Sequence, residues 1–430
     1  MSNDSNGFGP ELRRRRLAAG LTLTRLAELL SYSKGHLSKI ERGHKAPPPE
    51  LARRCDAQLA AGGELEKLLP AEPIRLDKEV VTEDEEPLFQ IERGGVRWSG
   101  ELRRRQLLAA GATSLLGYGL PASLPFVATA EAVADSAPVE IFRAQFDQMR
   151  RLGQSSHPGT LLPLLTAQTH ALRELAMQAG GVNHGRLLVL AARFAEYAGW
   201  MAQEAGDNPS ALRWTARAVD LAEAGGDRDL TSYALVRRAL VAFYAGDATQ
   251  TVQLVGPAQT SGLPPRIRGL AAQREAQGHA LAGDHTACLR SLDRARDLLA
   301  KAEVEDGGGT PVLGTTNLAD PASMVTGWCL YDLGRPGPAA EVLDREYPRI
   351  PAQAVRSRAR YGLRRALAHA AAGEPERASE VASVLLPLVP ALRSATIRAD
   401  VQRLARELNR FRTGRAVRDL QPLLAQALHP

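Results

Sequence analysis

The sequence predicts an all-α protein in two unequal parts, a headpiece of five short helices followed by a longer helical solenoid. Three observations predict this. Aromatic residues make up only 5% of the 430, while Ala, Leu and Arg abound, which suits close-packed helices better than sheets. Helix-start and helix-stop residues punctuate the first seventy positions at short intervals. Beyond residue 138 a glycine motif recurs at nearly constant spacing. At roughly 150 residues per domain the chain is also too long for one core.

In the headpiece, Pro10 opens a helical segment Glu11 to Ala19 that ends at Gly20, the pairing expected of a helix start and stop. Thr22 caps a second helix, Leu23 to Leu30, with Leu26, Ala27 and Leu30 on one face. After Ser31-Tyr32-Ser33, a third helix runs from Lys34 to Arg42 and stops at Gly43, with Ser33 as its cap and Leu37 and Ile40 as its apolar side. Pro47-Pro48-Pro49 precedes a fourth helix, Glu50 to Leu59. Gly62-Gly63 precedes a fifth, Glu64 to Leu69.

Two short helices joined by a tight turn, the second polar outside, make a helix-turn-helix. The stretch L-T-L-T-R-L-A-E-L-L-S-Y-S-K-G-H-L-S-K-I-E-R-G, with Leu26-Ala27, Ser33, Leu37-Ser38, Ile40-Glu41 and Gly43 at the matching positions, resembles the Xre/Cro repressor headpiece. Two departures stand out: Leu23 replaces the family's usual Gln at the start of the second helix, and Ser31 replaces Gly at the turn. The resemblance implies that Lys34, Gly35 and Lys39 face base edges and that Ser33, His36 and Arg42 face phosphates of double-stranded DNA.

Charge agrees. Lys and Arg total 54 against 48 Asp and Glu. Residues 1 to 54 alone hold eleven basic and five acidic side chains, a local +6 that equals the excess of the whole chain. Such a surface gains affinity by releasing counterions from phosphates. Arg13 and Arg14, in the run Arg13 to Arg16, are expected among the strand contacts. The arginine richness itself reflects a GC-rich, actinobacterial genome more than guanidinium chemistry.

Residues 64 to 101 reverse the sign, with eleven acidic and five basic residues, Glu83-Asp84-Glu85-Glu86 among them. Residues 70 to 137 are therefore expected to form an acidic linker and an apolar helix or linker segment. Its uncharged run 107 to 130 follows Arg103-Arg104-Arg105. Five Gly or Pro residues and several Ser and Thr argue for a buried helix and a Pro-broken linker over a membrane span or export signal. The first ten residues hold no apolar core, so no secretory signal is expected.

From 138 to 430, Gly206, Gly246 and Gly283 lie in A-G-D, Gly334 in L-G-R and Gly373 in A-G-E, at intervals of 40, 37, 51 and 39. Ala211, Thr251, Cys288, Ala339 and Ala378 follow each glycine by five positions. Gly199, Ala239, Ala276, Gly327 and Ala366 precede it by seven. Small side chains there let paired helices approach. The pattern resembles tetratricopeptide repeats. The 51-residue interval holds an inserted loop, Gly307 to Pro321. On the inner face of such an array fall Arg193, Glu196, Trp200 and Gln203, then Tyr233 and Tyr244, Gln273 and Gln277, Trp328 and Tyr331, and Arg360. Of these, Arg193, Trp200, Tyr233, Gln277, Trp328 and Tyr331 are the candidate groove for a peptide or small-molecule effector.

Cys55, Cys288 and Cys329 stand far apart without metal-ligand spacing, which fits buried thiols in a reducing cytoplasm. No Gly-Lys dipeptide occurs, so there is no P-loop, and H-E-x-x-H and G-x-S-x-G are also missing. The expected protein is a cytoplasmic, non-enzymatic regulator without cofactor or metal. It resembles the peptide-responsive regulators of Gram-positive bacteria, which implies a homodimer on an inverted-repeat operator. The rival reading is an interaction adaptor whose repeats hold a protein partner and whose headpiece only localises it to DNA.

Overall fold

The computed structural model describes residues 7–69, 89–92, 95–98, 130–305 and 311–429. The described residues are helical apart from one antiparallel hairpin, β1 (Phe89–Glu92) with β2 (Gly95–Trp98), in which Phe89 pairs with Trp98 and Glu92 with Gly95. The hairpin belongs to a small unit spanning residues 72–137. The headpiece and everything from Pro138 onward form one compact unit. The rest of the acidic segment, and the apolar run as far as residue 129, lie outside the described residues.

The headpiece contains α1 (Phe8–Ala18), α2 (Leu23–Leu29), α3 (Lys34–Glu41) and α4 (Pro49–Gln58). Thr22 and Ser33 cap α2 and α3 by accepting the backbone N–H of Arg25 and His36, at 3.0 and 3.2 Å. The expected fifth helix is instead a 3-10 turn, Glu66–Leu68. Gly62 and Gly63 both take left-handed backbone angles, and too few residues remain before Pro70 for a full helix. The Asp56 carboxylate holds this turn by accepting the Leu65 and Glu66 amides, each at 2.9 Å. Leu12, Leu26, Leu37, Leu51 and Leu65 are fully buried in the headpiece core.

The array begins at α5 (Ala130–Leu152), which crosses the boundary expected at residue 137 and carries Pro138 inside it. There follow α6 (Pro158–Gln178), α7 (Gly181–Ala205), α8 (Asn208–Gly225), α9 (Arg228–Tyr244), α10 (Ala248–Val255), α11 (Pro265–Leu281), α12 (His285–Glu305), α13 (Pro321–Asp332), α14 (Pro336–Glu346), α15 (Val355–Ala372), α16 (Pro375–Leu385), α17 (Val389–Leu392), α18 (Ala395–Leu408) and α19 (Arg415–Leu428). From α6 to α16, each helix packs against the next as a hairpin.

The recurring glycine motif has a local mechanism. Gly206, Gly246, Gly283, Gly334 and Gly373 all adopt φ between +72° and +92°, the left-handed stop that ends α7, α9, α11, α13 and α15. In the three A-G-D copies the aspartate then caps the next helix: Asp207 accepts the Ser210 amide, Asp247 that of Gln250 and Asp284 that of Ala287. The small residues five positions on are buried, with Thr251, Cys288, Ala339 and Ala378 wholly so. A Cβ on Gly199 would lie 3.2 Å from the Ala211 carbonyl, and one on Gly327 2.8 Å from Leu343.

The array also closes on itself. Among the described residues, Arg356 of α15 is the largest fully buried side chain. It donates from Nε to the Gly153 carbonyl at 2.8 Å, from Nη2 to the Ser156 carbonyl at 2.6 Å and from Nη1 to Glu204 at 3.0 Å. Glu204, at the end of α7, also accepts Arg360 of α15, and the hydroxyls of Ser394 and Thr396 at 2.6 and 2.9 Å. With α18 packed on both α15 and α7, the last helix pairs meet the first. Burial alone would raise the Glu204 pKa, but Arg360 and Arg356 outweigh it and hold the carboxyl at about 2.

Candidate nucleic-acid interface and ligand cavity

The outer face of the headpiece is set by what its core consumes. Leu37 and Ile40 point inward and leave Ser33, Lys34, Gly35, Lys39 and Arg42 exposed. A Cβ on Gly35 would meet nothing within 4 Å, so that side of α3 is open for close approach. His36 differs from its neighbours: it is half-buried, tilted against the Tyr32 ring at 5.2 Å, and its Nε2 has no partner. Burial, then the charges of Lys45, Arg410 and Lys39, push its pKa below the ordinary histidine value.

The four arginines of α1 divide into distinct jobs. Arg13 and Arg14 are exposed, and Arg14 pairs with Glu11 at 2.6 Å. Hydrogen bonds from Arg14 and Arg15 hold the Glu11 carboxyl at about 2. Arg16 is buried. Its Nε meets Glu41 at 2.6 Å and its Nη1 donates to the Leu21 carbonyl at 2.8 Å. Arg16 thus ties α1 to the end of α3, and Glu41, read from the sequence only as a motif position, is its counter-ion. Gly9 completes this junction, because a Cβ there would strike the Ile40 carbonyl.

Ser31, where the resemblance expects glycine, adopts φ +54°. The turn therefore keeps the left-handed geometry with a non-glycine residue. The hydroxyl has a use, donating to the Ala372 carbonyl of the array at 3.4 Å, while the Ser31 carbonyl accepts Arg410.

This contact belongs to a larger junction. Three of the recurring glycine turns meet the headpiece directly. A Cβ on Gly283 would come within 3.0 Å of the Gly63 Cα, one on Gly334 would strike the Arg53 carbonyl, and one on Gly373 would strike Ser31. Beside them Arg54 meets Glu407 at 2.6 Å, Glu407 accepts Arg410 at 2.6 Å, and the Arg410 guanidinium lies 3.8 Å above the Tyr32 ring. Burial raises the Glu407 pKa, but Arg54 and Arg410 outweigh it and the net shift is downward. None of this junction covers the exposed face of α3.

Inside the closed array lies a cavity of about 690 Å³. Of the inner-face residues named from the sequence, Arg193, Glu196, Trp200, Tyr233, Gln273 and Arg360 line it. Gln203, Tyr244, Gln277, Trp328 and Tyr331 do not. The division partly follows height along each helix. Residues ten or thirteen positions before a glycine turn open onto the cavity, those two or three before it do not, and of the three that lie six before it Trp200 does while Gln277 and Trp328 do not. Trp328 is buried among Phe243, Tyr244 and Tyr361, Tyr331 is buried near Arg54 and Glu407, and Gln277 is buried beside Arg274. Arg356 and Arg150 also line the cavity, and the sequence pattern pointed to neither.

Among the described residues, no group of three or more His, Cys, Asp or Glu side chains could hold a metal ion, and no helix is long and apolar enough to cross a membrane. Residues 8–69, from α1 through the 3-10 turn, match the family described as a helix-turn-helix domain. No curated protein and no solved structure matches the chain. The chain therefore carries a helix-turn-helix domain, which points to DNA as its partner.

Proposed function

We propose that the protein is a sequence-specific transcriptional regulator of the Xre/Cro kind. Its headpiece reads an inverted-repeat operator as part of a homodimer in the cytoplasm, and its tetratricopeptide-like array senses an effector. The observation that carries this reading is the junction between the two parts. The headpiece rests on glycine turns from three successive array hairpins, one of them against Ser31 at the turn between α2 and α3, and the same hairpins wall the cavity with their other ends. An effector that prefers one curvature of the closed array would shift those turns and with them the headpiece, as coupling between two sites requires. Lys34 and Lys39 supply donors for guanine edges, Gly35 the close approach, and Ser33, Arg42, Arg13 and Arg14 the strand contacts.

Footprinting the full-length protein on its own promoter region tests the reading. Protection of two symmetric half-sites about one helical turn apart is expected. Salt-sensitive binding with no preferred site would overturn it and favour an adaptor.

A further inference from the structure

The array cavity is built for charge. Eight arginines line it against two acids, Asp147 and Glu196. Four of the arginines already meet three carboxylates: Arg193 meets Asp227 at 2.8 Å, Arg237 meets Glu196 at 3.2 Å, and Arg356 and Arg360 share Glu204. The other four, Arg143, Arg150, Arg151 and Arg274, have no carboxylate partner among the described residues. Arg150 is held in place by donating to the Val312 and Gly314 carbonyls at 3.0 and 2.7 Å, with its guanidinium over Phe146. Among the described residues, Arg274 bonds Gln277 through Nη1, and its buried Nε has no partner.

The unpartnered buried polar atoms on this wall are donors: Nε of Arg193, Arg274 and Arg360, and Nε2 of Gln273, a residue 1% exposed. Donors left unpaired in a half-dry site cost free energy that an acceptor would recover. Planar guanidiniums match carboxylate and phosphate oxygens in pairs. Burial, with the Arg237 charge nearby, lowers the Arg274 pKa, which is the direction expected of a cation lacking its counter-ion. The volume falls within the usual range for a small organic ligand. Trp200, Tyr233 and Tyr361 give the rest of the wall an aromatic character.

We propose that the cavity binds a small anion carrying two or more negative charges on carboxylate or phosphate oxygens, held by Arg274, Arg150 and Gln273. This rests on the reading of the array as a sensor and names the chemical class of its effector.

Titration calorimetry on the full-length protein at fixed ionic strength tests it, with citrate, inorganic pyrophosphate and a nucleoside triphosphate as probes. At least one is expected to bind, with Kd weakened tenfold or more in Arg274→Met. The free Arg274→Met protein should melt no lower than wild type, because it loses a desolvated charge and not a paired one. Arg150→Gln serves as a second variant should Arg274→Met fail to fold. Absence of binding by all three probes, or undiminished binding in both variants, would overturn the proposal. Binding of an acidic peptide alone would overturn the small-ligand class while leaving the sensor reading standing. Anion binding that leaves operator affinity unchanged would do the reverse.

Discussion

The Arg54 guanidinium and the Glu407 carboxylate meet at 2.6 Å across the junction between headpiece and array, each about 95% shielded from solvent. Arg410 shares the same carboxylate and stacks on Tyr32. One acid thus satisfies two guanidiniums that would otherwise be stranded in a dry interface. Breaking such a buried pair by removing one partner typically costs about 3–5 kcal/mol. Glu407→Gln is expected to loosen the headpiece without unfolding the array. Hydrogen exchange should rise across residues 23–41 and stay unchanged across α7; equal change in both would contradict the assignment.

The glycine turns separate two effects. Gly226 adopts φ +81° with nothing near a hypothetical Cβ, so Gly226→Ala should cost only the left-handed backbone strain, about 1–2 kcal/mol. Gly334→Ala, at φ +75°, adds a collision with the Arg53 carbonyl. Urea midpoints should fall for both, but only Gly334→Ala should also weaken DNA binding.

Acid should unclasp the array before other parts yield. The Glu204 carboxyl sits at about 2 in the folded chain, below its value of about 4.3 in an unfolded one. Its contribution is therefore complete above pH 4.3 and is lost as pH falls through that value toward 2. The difference corresponds to about 3 kcal/mol. Urea midpoints measured from pH 6 to pH 3 should decline in wild type and decline less steeply in Glu204→Gln, which starts from lower stability at pH 6. Parallel pH profiles would show that Glu204 does not clasp the ends.

Arg16 and Arg14, two residues apart on α1, should behave oppositely. Arg16→Ala strands Glu41 at the foot of α3 and should lower the melting temperature of the headpiece. Arg14→Ala should leave that temperature within measurement error, since its pair with Glu11 is exposed, and should weaken specific and non-specific DNA binding about equally.

Local features were the legible ones. The recurring glycine was legible as a break between helices, and the caps of α2 and α3 were legible because cap and amide lie three residues apart; that the aspartate after the glycine caps the next helix emerged only from the structure. The turn at Gly226 escaped notice because the doubled glycine in A-G-G-D shifts it out of the repeat. The fifth headpiece helix failed because helix-forming composition does not overcome two left-handed glycines and too short a run. Arg356 was illegible in principle: its partners at Gly153 and Glu204 lie some two hundred and one hundred and fifty residues away, and nothing periodic marks it. The inner-face residues were found by helical phase. Phase does not give height, and height decides that Arg193 and Tyr233 border the cavity while Tyr331 is packed beyond it; Trp328, at the height of Trp200, is instead drawn into an aromatic cluster with Phe243 and Tyr244.

On the proposed function, the exposed face of α3 reads sequence. Binding sites selected from a random duplex pool with the full-length protein, and compared with random duplex for wild type and Lys39→Ala, put this to the test. A palindromic selected site is expected, with a tenfold or greater loss of discrimination in Lys39→Ala and non-specific affinity nearly intact. An equal loss on both duplexes, or a pool that never converges, would contradict it.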